Sequence, residues 1–127
     1  FVALTVGVID LNNGVMKICN AGHRMPYIVK EGKAETLEIP KNVTIGVLDD
    51  YEFQAEEITL TSGAQILLYS DGVVESNNCK HEPYGKQRLE AVASRATALQ
   101  DVVLDVTTFM GAHPQSDDIS MITISLK

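Results

Sequence analysis

The apolar residues of this chain are spaced in two ways, and each spacing predicts a different kind of element. In residues 1–70 they form short runs separated by glycine, asparagine and proline, which is typical of β-strands joined by tight turns. A first hairpin is predicted from strands at 1–9 and 15–19 around Asn12-Asn13-Gly14. A second is predicted from strands at 27–29 and 36–39 around Glu31-Gly32.

The later strands and the helices follow from the same patterns. After strand-like residues 53–60, the strongest apolar run of the chain, at 65–70, predicts a buried strand. Apolar residues three or four positions apart then predict a helix at 85–96 and a second one that begins near Thr97 and ends at Gly111. Thr97 and Gln100 fit a capping box at the start of that second helix.

This order of elements indicates the fold class. Residues 119–126 predict a last strand, so several antiparallel strands precede two helices and one strand follows them. The order predicts an α+β domain whose helices lie on one face of an antiparallel sheet.

Length and charge limit the possible functions. The 127 residues suit one domain or part of one, and 17 acidic against 10 basic residues give a formal net charge of −7. Nucleic-acid binding is disfavoured because a basic patch is missing, and any phosphate site would need local cations. No apolar run has membrane-spanning length, so no membrane insertion is predicted for this segment.

The cysteines and the first residue add two expectations. Cys19 and Cys79 do not make a disulfide framework, which favours a cytoplasmic protein. The chain opens on Phe1, inside a strand-like pattern, so we expect the natural polypeptide to begin earlier.

Acidic residues stand at the ends of two predicted strands. Asp71-Gly72 closes the apolar run at 65–70, and Asp117-Asp118 precedes the last strand. Asp-Gly also marks hairpin turns, but residues 73–77 do not form a returning alternating strand, which favours a site. If the two strands are neighbours, the acids converge, and their hard oxygen ligands favour magnesium or manganese over zinc.

The loop at 20–26 holds a second candidate. His23 lies in it, and a histidine there is more often a hydrogen-bonded loop residue than a ligand or a base. Arg24 could pair with a phosphate or with an acid.

Five motifs in order along the chain resemble those of one family. They are Asn20-Ala21-Gly22-His23 with Pro26, Ile45-Gly46-Val47, Leu68-Tyr69-Ser70-Asp71-Gly72-Val73-Val74-Glu75, Tyr84-Gly85 with Arg88-Leu89, and Asp117-Asp118-Ile119-Ser120. The set resembles the bacterial PPM-type (PP2C-like) serine/threonine phosphatases of the SpoIIE/RsbU kind, and the match covers nearly all of residues 1–127.

The resemblance implies a fold, a chemistry and a substrate. The fold is an α/β/β/α sandwich of antiparallel sheets flanked by helices. The chemistry is metal-dependent hydrolysis of phosphoserine or phosphothreonine with two Mn²⁺ or Mg²⁺ ions. The usual substrates of such enzymes are phosphorylated STAS-domain anti-anti-sigma proteins of partner-switching pathways.

The resemblance also assigns residues. Asp71, followed by Gly72, matches a metal-binding aspartate, and Asp117 matches a second one with Asp118 as its supporting neighbour. His23 stands near the site, where many eukaryotic relatives carry an acid.

One part of the family pattern is missing. The N-terminal half of the family's domain, with the aspartate that bridges both metals, has no counterpart in residues 1–127. We therefore expect a sandwich that is incomplete at its N-terminus, with an incomplete metal site. Residues 1–127 on their own are expected to be inactive and to self-associate through the strand at 1–9 or an uncovered face.

Two alternatives to an enzyme remain open. One is a non-catalytic regulatory or binding module with a phosphatase-like fold. The other is a purely structural sandwich, in which the acids would be paired with arginine or lysine.

Overall fold

The computed structural model describes residues 1–126, which form eight strands and three helices. In chain order the elements are β1 Leu4–Ile9, β2 Val15–Ala21, β3 Tyr27–Lys30, β4 Lys33–Thr36, β5 Lys41–Asn42, β6 Glu56–Thr59, β7 Gln65–Tyr69, α1 Asp71–Val74, α2 Gly85–Arg95, α3 Leu99–Met110 and β8 Met121–Ser125.

The strands form two sheets of four. In the first, β2 is central, with β1 antiparallel on one side and with β6 (antiparallel) and β5 (parallel) pairing with it as well. The second has the order β4-β3-β7-β8, and all its pairs are antiparallel.

Side chains of β7 point alternately to the two faces of the second sheet, and their contacts show how the layers are stacked. Ile66 and Leu68 pack into an apolar cluster with Met16 of β2, so they face the first sheet. Leu67 and Tyr69 point the other way, into the larger cluster formed with the helices. Because α2 packs on β3 and β4 and α3 packs on β8, the layers are helices, second sheet and first sheet.

The outer face of the first sheet is exposed at β1. Ile9 packs into the cluster between the sheets, so the alternating residues Val6 and Val8 face away from it. Their exposures are 50% and 70%.

None of the helices in residues 1–126 has the length and apolar character that a membrane-spanning helix needs.

The predicted α+β class with antiparallel sheets is confirmed, and two local predictions are wrong. The second strand of the second hairpin is Lys33–Thr36, not 36–39. Glu31 and Gly32 have φ of 51° and 73° and form a two-residue turn, so the chain returns at once.

The second error concerns the start of α3. Its N-cap is Ala98, and the carboxylate of Asp101 accepts hydrogen bonds from the backbone N–H groups of Thr97 (2.9 Å) and Ala98 (3.1 Å). The predicted capping pair of Thr97 and Gln100 is therefore replaced by Asp101, one residue further along the chain.

Candidate functional site

The two acidic strand ends lie at one edge of the second sheet. β7 and β8 pair antiparallel, with Tyr69 opposite Met121, so the end of β7 meets the start of β8. Asp71 begins α1 one residue after β7 ends, with Ser70 as the N-cap, which rules out the hairpin turn as the reason for the Asp-Gly pair. Asp71 and Asp117 line the same cavity, whose volume is about 710 Å³.

Ser70 joins these two segments by hydrogen bonds. Its backbone N–H donates to the carbonyl of Ser120 (2.9 Å), and the N–H of Ser120 donates to Ser70 Oγ (2.9 Å). The Ser70 hydroxyl donates to the carbonyl oxygen of Asp118 (3.2 Å). The position of Ser70 before Asp71 thus has a structural reason, because it holds the segment that carries Asp117.

Gly72 allows the same two segments to approach closely. A Cβ on Gly72 would lie 2.0 Å from the carbonyl oxygen of Asp118 and 3.4 Å from that of Asp117. Any larger residue would push the start of α1 away from the other acids.

Arg24 pairs with one of the candidate ligands. Its Nε donates to Asp71 Oδ1 at 2.5 Å, and its Nη2 lies 3.6 Å from Glu75 Oε1. The hydrogen bond to Asp71 is the main cause that raises the pKa of the Arg24 guanidinium above its usual value. Of the two partners that the sequence left open for Arg24, an acid is the one observed.

Asn20 fixes the loop that carries Arg24. Asn20 is 1% exposed; its Oδ1 accepts from the N–H of His23 (2.8 Å), and its Nδ2 donates to the carbonyl of Arg24 (3.3 Å). Gly22 has φ of 72°, and a Cβ there would lie 2.2 Å from Thr44 Oγ1. His23 lines the cavity, with its ring Nδ1 3.4 Å from the Arg24 carbonyl oxygen, a placement that favours a hydrogen-bonded loop residue.

Basic side chains share the cavity with the acids. Lys41 of β5 and Lys86 of α2 line it together with Arg24. This supplies the local positive charge that a phosphate site requires in a chain of net charge −7. Sequence reasoning missed both lysines, because they come from distant parts of the chain. Lys41 lies in no motif, and Lys86 lies between Tyr84-Gly85 and Arg88-Leu89 without being one of the motif residues.

The two aspartates fit a divalent cation as oxygen donors. Both side chains are exposed at the cavity, and Asp71 already holds a cationic group at hydrogen-bond distance. Within residues 1–126, no three His, Cys, Asp or Glu side chains are grouped so that they could hold a metal ion. The remaining ligands of an ion bound here would be water, substrate oxygens or donors outside these residues.

The charged partners of the acids bear on the alternative of a purely structural module. Such a module would leave them paired with arginine or lysine, and Asp71 is so paired. No ion pair within residues 1–126 involves Asp117 or Asp118. Asp117 Oδ1 instead accepts the backbone N–H of Asp118 at 2.8 Å.

Comparisons with known proteins match the chain to a family model and to a relative. The family model described as Stage II sporulation protein E (SpoIIE) matches residues 1–127. Protein IcfG of Synechocystis sp. is 28% identical over 130 residues, which cover 98% of this chain and 20% of IcfG.

Solved structures show the same fold at low identity. The phosphatase domain of SpoIIE from Bacillus subtilis, presoaked with manganese, has a TM-score of 0.73 and 14% identity over 98% of this chain and 56% of that one. The RsbU and RsbW domains of a Mycobacterium tuberculosis protein match with a TM-score of 0.71 and 21% identity, over 94% of this chain and 34% of that one. The chain thus spans less than two thirds of each of these relatives.

Proposed function

The chain belongs to the SpoIIE family, and we propose on that basis that it is the C-terminal part of the catalytic domain of a metal-dependent protein serine/threonine phosphatase. Its fold is that of PP2C-like phosphatases. The proposed reaction is hydrolysis of phosphoserine or phosphothreonine in the cytoplasm. The proposed substrate is a phosphorylated STAS-domain anti-anti-sigma protein in a partner-switching pathway, as the resemblance of the motifs implies.

Asp71 and Asp117 are the proposed ligands of the divalent cations, Mn²⁺ or Mg²⁺. The observation that carries this proposal is their position on the wall of one cavity, at the joined ends of β7 and β8. The manganese-presoaked SpoIIE domain, which has the same fold, gives further support. When bound, such ions activate water for attack on phosphorus and neutralise phosphate charge.

The other residues of the cavity hold the site and attract the substrate. Ser70 and Gly72 keep the segments of Asp71 and Asp117 in contact. Lys41 and Lys86 offer positive charge to a phosphate that must approach a protein with an excess of acids.

Neutral replacement of the two acids tests this proposal. In the complete natural polypeptide, Asp71→Asn or Asp117→Asn is expected to lower manganese-dependent turnover of a phosphoserine peptide by about 10²-fold or more, since a ligand charge is lost. Asp49→Asn serves as the matched control, because Asp49 is an exposed acid outside the cavity lining. Circular dichroism should show the same fold in all three variants.

The outcomes separate an enzyme from a binding module. Rates near that of the wild type in both Asp71→Asn and Asp117→Asn would refute the assignment of the ligands. A wild-type protein that binds manganese and a STAS-domain phosphoprotein without hydrolysing it would instead support the non-catalytic regulatory module.

A further inference from the structure

The ion pair between Arg24 and Asp71 joins a fixed loop to a fixed helix end. The backbone at Arg24 is held by the buried Asn20, and Asp71 is held by the hydrogen bonds of its neighbour Ser70. The side chains themselves are partly open to solvent, 33% exposed for Arg24 and 58% for Asp71. The guanidinium can therefore move away from the carboxylate while both backbones stay in place.

Arg24 and a divalent cation would compete for the carboxylate of Asp71. Oδ1 of Asp71 already accepts the Nε–H of Arg24 at 2.5 Å, so one acceptor position of this carboxylate is occupied. A metal ion on the same carboxylate would lie within a few ångströms of the guanidinium charge and would be repelled by it.

Glu75 offers a second place for the displaced guanidinium. Its Oε1 lies 3.6 Å from Arg24 Nη2, one helical turn beyond Asp71. A small rotation of the arginine side chain would exchange Asp71 for Glu75 as its main partner, without exposing an unpaired charge.

We propose that Arg24 is a resident counter-ion of Asp71 that a divalent cation must displace, so that it sets the affinity of this site for the metal. The inference rests on the proposed function, because it takes Asp71 as a metal ligand. It adds a role that the motifs do not assign to Arg24: a counter-ion that neutralises the ligand until the ion arrives.

A manganese titration by calorimetry tests the competition. In the complete natural polypeptide at low ionic strength, Arg24→Gln is expected to bind Mn²⁺ about two- to fivefold more tightly, the range for a partly exposed ion pair. Lys41→Gln is the matched control, since it removes one positive charge from the same cavity but no ion pair from Asp71. Its effect on Mn²⁺ affinity should be clearly smaller.

A second measurement follows the arginine directly. In the wild-type protein, titration with diamagnetic Mg²⁺ should shift the ¹⁵Nε–¹H resonance of Arg24 as its hydrogen bond to Asp71 is lost. This readout does not depend on phosphatase activity.

The possible results distinguish this inference from the proposed function. If the wild type binds Mn²⁺ and Arg24→Gln binds it equally or less tightly, Arg24 orients Asp71 and the competition is refuted. An Arg24 resonance that does not change at saturating Mg²⁺ refutes it as well. If neither the wild type nor Arg24→Gln binds Mn²⁺, the assignment of Asp71 as a metal ligand fails, and the inference fails with it.

Discussion

At Gly72, the addition of a single methyl group should reduce the free energy of unfolding strongly. A Cβ there would lie 2.0 Å from the carbonyl oxygen of Asp118, whereas an unstrained carbon–oxygen contact is about 3.3 Å. Gly72→Ala must therefore separate α1 from the Asp117-Asp118 segment by about 1 Å. Overpacking of this kind costs about 1–3 kcal/mol, and the loss of two hydrogen bonds of Ser70 adds about 1 kcal/mol each.

Urea unfolding followed by circular dichroism measures the cost. We expect the free energy of unfolding to fall by about 3–5 kcal/mol in Gly72→Ala, and Mn²⁺ affinity to fall with it, because the acids move apart. Gly7→Ala is the control, since the nearest atom to its Cβ would be the end of the flexible Met16 side chain, at 3.1 Å, and the nearest backbone atom would be the carbonyl oxygen of Lys17 at an ordinary 3.8 Å. A loss in Gly72→Ala no larger than that in Gly7→Ala would show that the two segments are not held together as described.

Two further predictions concern pH and association. Hydrogen bonds from the N–H groups of Thr97 and Ala98 lower the pKa of Asp101 below its usual value of 3.8. The ionised carboxylate therefore stabilises the fold above pH 3.8, and this stabilisation is lost as the pH falls through the lowered pKa. Asp101→Asn should thus reduce unfolding free energy at neutral pH and have little effect well below pH 3.8; equal losses at both, measured by urea unfolding, would contradict this reasoning. The 127-residue chain alone is expected to self-associate through the exposed face of β1, where Val6 and Val8 lie. The double variant Val6→Lys, Val8→Lys should then be monomeric in light scattering. A wild-type chain that is already monomeric would refute the prediction.

The sequence predicted those parts of the fold that have a hydrophobic period. The run at β7 and the stripes of α2 and α3 are long enough for burial to determine their pattern, and they form where predicted. β5 has two residues and α1 has four, too few to show any period. These short elements depend on contacts with parts of the chain distant in sequence, β2 for β5 and α2 for α1, which no local pattern records.

The same distinction applies to the candidate site. The meeting of Asp71 and Asp117 could be predicted because both stand at strand ends and the two strands are neighbours. The choice of Asp71 as the partner of Arg24 could not, because it depends on how a loop after β2 lies over the end of β7. Lys41 and Lys86 reach the cavity from β5 and α2 for the same reason.

The most direct test of the central claim is to locate manganese by anomalous scattering in crystals of the complete natural polypeptide. The account predicts an ion in the cavity with carboxylate oxygens of Asp71 and Asp117 as ligands or as partners of its bound waters, at about 2.1 Å where the contact is direct. Arg24 should then have left Asp71. An anomalous peak remote from both aspartates, with the pair between Arg24 and Asp71 still intact, would contradict the account.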